Sequence, residues 1–124
     1  MKRSALFRLA LLSTAVAAIQ NANAGSAVAH DSHGHTVYSF GHPKTVAIER
    51  ALGMARTLGW ADARIIAASD VTGYGAIAVA RKGNGSVIGA ALGRPSRVDA
   101  EQLAIEICLK GGGTDPKVRW EWHG

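Results

Sequence analysis

The chain has 124 residues, a single cysteine, and 14 basic against 9 acidic residues. That length suits one domain. One cysteine excludes an internal disulfide framework. Lys2, Arg3 and Arg8 lie in the first ten residues, so the chain beyond residue 24 holds eleven basic and nine acidic residues, a formal +2 with no basic run longer than Arg81-Lys82. Nucleic-acid binding needs a concentrated basic footprint, and none is present.

Taken in chain order, residues 1–24 read as a cleavable secretory leader. A basic start precedes an apolar stretch from Leu9 to Ile19, and Ala22-Asn23-Ala24 supplies the small-x-small cleavage pattern. The apolar run is shorter than a typical membrane span. Cleavage after Ala24 predicts a secreted or periplasmic protein with no stable membrane insertion. A second cleavage point after Ala27 would expose Val28-Ala29-His30, an N-terminal motif suited to Cu(II) or Ni(II).

The remainder repeats itself. Gly41 meets Gly93, Pro43 meets Pro95, Val46 meets Val98 and Glu49 meets Glu101 at an offset of 52, read directly from the sequence. Ser26 is set over Ala76 at the start, and Asp62 over Asp115 near the end. The expected organisation is a single domain over 25–124 made of two units, 25–71 and 72–124. Each unit reads strand, strand, helix, strand. Asp31-Ser32-His33-Gly34 and Lys82-Gly83-Asn84-Gly85 occupy the hairpin turns. Ala100, Leu103, Ala104 and Ile107 follow helical spacing, matched by Ile48, Ala51, Leu52 and Ala55. Ser96 followed by Asp99 resembles a capping box, and Gly59 and Gly111 stop the helices. The last strands start at Arg64 and Val118. The expected fold class is α+β: a two-layer domain with a mixed sheet of about six strands and both helices on one face. Helix crossovers join parallel strands and only the hairpins are antiparallel.

The second unit resembles the small exported bacterial domains grouped as domain of unknown function family 4189 (DUF4189). The residues concerned are Gly75-Ala76-Ile77-Ala78, Gly83-Asn84-Gly85, Ser96-Arg97, Ala100-Glu101, Cys108, and Val118 to Trp122. The resemblance implies export and no established activity. It covers most of residues 74–122 and extends more faintly to the first unit. Members of the family usually carry a second cysteine near the start of the last strand, and Gly113 to Lys117 contains none.

Four residues are the candidate metal ligands: His30, Asp31, His33 and His35. Imidazole and carboxylate in a turn are ligands that Zn, Cu and Ni accept; a solvated polar turn is the plainer reading. Glu49 and Glu101 are candidate acid–base groups, although a structural role, complementing the helix dipole or pairing with a neighbouring arginine, is the favoured reading. Cys108 is either inert and half-buried or a cross-link between two copies. Trp120 and Trp122, taken to share a face with Val118, are core or an aromatic platform. The leading expectation is a non-enzymatic exported binding module whose partner is an unknown protein or envelope component, with no resident cofactor. The alternatives are a histidine-cluster divalent-metal protein and a small secreted hydrolase-like enzyme.

Overall fold

The computed structural model describes residues 25–123. The leader and the Ala24 cleavage point lie outside the described residues. The elements are β1 (Gly25–His30), β2 (Thr36–His42), α1 (Lys44–Thr57), β3 (Arg64–Ser69), β4 (Tyr74–Lys82), β5 (Gly85–Arg94), α2 (Arg97–Lys110) and β6 (Thr114–His123). This is an α+β chain of two ββαβ halves, with the elements in the order the repeat dictates.

The sheet differs from the expected one. The strands form two three-stranded sheets, ordered β2-β1-β3 and β5-β4-β6. Every ladder is antiparallel. Within each half the helix carries the chain across the central strand. The two strands that it joins run parallel but never touch. A direct parallel ladder would need them adjacent, and β1 or β4 stands between them.

The helices do not share a face either. Strand side chains alternate between faces. In β1, Ala27 and Ala29 pack under α1 with Ala47 and Ala51. In β4, Ala76, Ala78 and Ala80 pack under α2 with Ala100, Ala104 and Cys108. The intervening residues Val28 and Ile77 turn the other way and meet in a third cluster with Trp122. The layers therefore run helix, sheet, sheet, helix. A three-stranded sheet with apolar residues on both faces needs two covers, and the other half supplies the second.

Small residues set the helix–sheet spacing. Both buried helix seams run at i, i+4, i+8: Ala47, Ala51, Ala55 and Ala100, Ala104, Cys108. Gly89 of β5 lies so near α2 that a Cβ there would collide with the Ala104 carbonyl oxygen. Close packing of this kind is sensitive to a single added methyl group.

The ladders also correct the repeat. Val28 pairs with Ala67 and Ile77 with Trp120, each immediately before a bulge in the last strand of its half. Val28 is thus the counterpart of Ile77, an offset of 49 rather than 50. In a strand, one residue of slip exchanges the faces. The helices match at 53, not 52, so Glu49 corresponds to Gln102 and Glu101 to Ile48. Gly41 and Gly93 keep their offset of 52. Both adopt positive φ, +82° and +64°, and both fall where the first ladder of their half slips register. A bulge residue in that conformation favours glycine, which explains why this pair recurs.

Candidate functional site

The histidine turn forms around Asp31, which is only 4% exposed. Its Oδ1 accepts the backbone N–H groups of His33 and His35 at 3.0 and 2.8 Å, and its Oδ2 lies 2.8 Å from His35 Nδ1. Desolvation pushes the Asp31 carboxyl upward, but the bonds from His35 and His33 together outweigh it and hold the group down to about 2. An ionised carboxylate accepting several N–H bonds behaves this way. Asp31 therefore orders the hairpin loop whatever else it does.

The structure brings only part of the predicted cluster together. The His35 ring is held by Asp31 and stacks on Trp60, with centroids 4.4 Å apart. His30 Nδ1 lies 3.1 Å from Thr36 Oγ1. Burial lowers the His30 pKa; Asp31 opposes this and Arg64 adds to it. The residues that converge are Asp31, His33 and Asp62, whose ligand atoms lie within 4.8 Å of one another. Asp62 was not among the sequence candidates. Ser32 holds it through its hydroxyl, aided by its backbone N–H, and this lowers the Asp62 pKa, the hydroxyl bond being the main cause. His42 lies elsewhere, in the groove described below.

The Val28-Ala29-His30 terminus does not fit this fold. Val28 is fully buried in the central strand and paired on both sides. A copper site there would need the Val28 amine and the next two amides free of the ladder.

The remaining candidates separate. Glu49 is exposed on α1, whereas Glu101 is half-buried. A hydrogen bond with Glu121 of β6 raises the Glu101 pKa, with desolvation and the Glu121 charge adding to it and Arg97 opposing. Glu121 was missed because its meeting with Glu101 depends on tertiary packing. Cys108 is fully buried, and its thiol donates to the Ala78 carbonyl at 3.3 Å. Burial pushes its pKa up, so a bond to a second copy would first require the sulfur to leave this packing. Trp120 and Trp122 do not share a face with Val118. The bulge in β6 places Val118 against Ala78 on the α2 side and sets Trp120 opposite Ile77 on the inter-sheet side. Trp122 stacks on Tyr38 at 4.5 Å and covers Gly75, where a Cβ would strike its ring.

A further concavity lies where the sequence placed no candidate. A groove of 760 Å³ runs between β2 and α1, lined by Tyr38, Phe40, His42, Arg50, Met54 and Leu58 among others. Phe40, Met54 and Leu58 are 43%, 41% and 56% exposed. Among the described residues that line it, Arg50 is the one charged side chain, the His42 ring lies beside it, and none is acidic. In the other half, Arg94 and Asp99 tie β5 to the start of α2 by an ion pair at 2.5 Å. Their counterparts, His42 and Val46, cannot form that pair.

Comparison with protein-family models, with curated proteins and with solved structures found no match. Among the described residues, no helix is long and apolar enough to cross a membrane.

Proposed function

We propose that this chain is an exported, non-enzymatic binding module whose working face is the groove between β2 and α1. The observation that carries the reading is the set of large apolar side chains left open there. Apolar patches that stay exposed beside a concave surface mark interaction sites more often than structural ones. The aliphatic and aromatic walls supply contact area, and Arg50 and His42 supply polar groups that orient a ligand. The leader-like start at 1–24 supports export, and the likeness to the DUF4189 domains agrees with it.

The groove is tested with 1-anilinonaphthalene-8-sulfonate, an apolar anion, added to folded protein. Saturable one-to-one fluorescence enhancement is expected, weakened at least tenfold in Met54→Glu. No enhancement, or enhancement indifferent to Met54→Glu, contradicts the reading. Edman sequencing of exported protein is expected to begin at Gly25.

A second reading rests on Asp31, His33 and Asp62. Two carboxylates and an imidazole suit a divalent ion such as Zn, Cu or Ni. Calorimetric titration with each metal salt is expected to give one equivalent bound, at least tenfold more weakly in Asp62→Asn. Equal binding by the variant removes Asp62 from the site.

A further inference from the structure

Four strands are outermost in their sheets: β2, β3, β5 and β6. Two of these, β3 and β5, face one another, and a Cβ on Gly93 at the end of β5 would meet Ser69 and Val71. Among the described residues the other two have no strand bonded to their outer edges, although the Tyr38 and Trp122 side chains stack between the sheets. An outward strand edge is a template for another chain, and proteins commonly guard it with charge, proline or a bulge. β6 carries all three: Lys117, Arg119 and Glu121, Pro116, and its register break near Arg119. β2 reads Thr-Val-Tyr-Ser-Phe-Gly-His, with no proline and no Lys, Arg, Asp or Glu, and its one bulge, at Gly41, leaves Thr36 to Phe40 in regular register.

The free backbone groups of β2 can be assigned. The first pair of the hairpin is bonded, Asp31 N–H to the His35 carbonyl at 3.1 Å. Directly opposed residues in an antiparallel ladder then alternate between bonded and unbonded pairs. Thr36 opposite His30 is unbonded, Val37 opposite Ala29 is bonded, and the alternation continues through Tyr38, Ser39 and Phe40. The N–H and C=O groups of Thr36, Tyr38 and Phe40 therefore point away from β1, and Tyr38 and Phe40 line the groove.

We infer that β2 accepts an extended peptide as a fourth strand of its sheet, an apolar segment bearing a carboxylate. The inference rests on the groove reading above and names its ligand. A strand laid along β2 bonds to the backbone of Thr36, Tyr38 and Phe40. Its side chains alternate, one set meeting Met54 and Leu58 of α1 and the other meeting Phe40. Main-chain bonds give affinity in this mode, and side-chain pockets give selectivity. Charge sets the carboxylate: Arg50 and His42 line the groove, and α1 carries Lys44, Arg50 and Arg56 against a single Glu49.

The probe is a fluorescein-labelled eight-residue peptide of alternating valine and serine with a free C-terminal carboxylate, added to protein of residues 25–124. Saturable binding is expected, with slowed hydrogen exchange at Thr36, Tyr38 and Phe40. The same peptide N-methylated at every second residue is expected to bind at least tenfold more weakly, and this control leaves the protein unaltered. Arg50→Glu is expected to remove the preference for free carboxylate over C-terminal amide. Equal binding of the methylated peptide overturns strand addition, as does protection of these amides by a second copy in a concentration-dependent dimer. If no peptide binds while the naphthalene sulfonate still does, the inference fails and the groove reading stands; if neither binds, both fail.

Discussion

β2 and β6 are the two outward edges of one double-sheet scaffold, and they are built in opposite ways. β6 is long, bulged, and studded with charge and proline. β2 is short and aromatic, without Lys, Arg, Asp or Glu, and its bulge is confined to Gly41 at its far end, beside a groove with exposed apolar walls. The halves differ in the same sense. α2 has a Ser96 cap that accepts the Asp99 N–H at 3.1 Å and an Arg94–Asp99 pair tying it to β5. α1 begins after Pro43 with no side-chain cap and no acidic residue in its first turn. Repetition supplied two equal frames. One is closed and guarded; the other keeps an open edge, and the working face proposed above lies in that open half.

The largest expected effect breaks the closed half. Gly89→Val drives a branched side chain into the α2 backbone at Ala104 and is expected to cost about 3 kcal/mol or more, read by urea unfolding. In the open half, nothing lies within 4 Å of a Cβ at Gly53 on α1. Gly53→Ala is expected to stabilise by about 0.5–1 kcal/mol, because alanine loses less backbone freedom than glycine in a helix. If both changes destabilise equally, the contrast between the halves fails.

The cap comes next. Ser96→Ala is expected to lower stability by about 1 kcal/mol, in the same unfolding assay. The smallest effect concerns Glu101. Its folded-state pKa is raised, chiefly by the bond to Glu121. A carboxyl with a raised folded-state pKa destabilises the fold at neutral pH, and the penalty is relieved as pH falls through that pKa. Glu101→Gln is therefore expected to raise the melting temperature slightly at pH 7 and to lose this advantage in acid. A gain that persists unchanged in acid would show that the Glu121 pairing is not the cause.

Much of the frame was legible in the sequence, because short-range rules govern it. The strand from Arg64, the Ser96 cap and the glycine pair 41 and 93 stand where their patterns put them. The errors came from registers. One residue of slip in β1 and one in the helices misaligned Glu49 with Glu101, and an unseen bulge placed Val118 with the tryptophans. Bulges leave little mark in a strand rich in alternating residues. Layer order was also illegible: Val28 and Ile77 show that each central strand has two apolar faces, but only tertiary packing says what covers each. Asp62, Glu121 and the groove belong to that category. Asp62 reaches the histidine turn from 30 residues away through Ser32, and no local spacing announces it.

Hydrogen exchange of the free protein at single-residue resolution tests the open edge most directly. Val37 and Ser39 are expected to be protected by β1, while Thr36, Tyr38 and Phe40 exchange at nearly unstructured rates at every protein concentration. Equal and lasting protection of all five amides would show that the β2 edge is already covered, and would contradict the account.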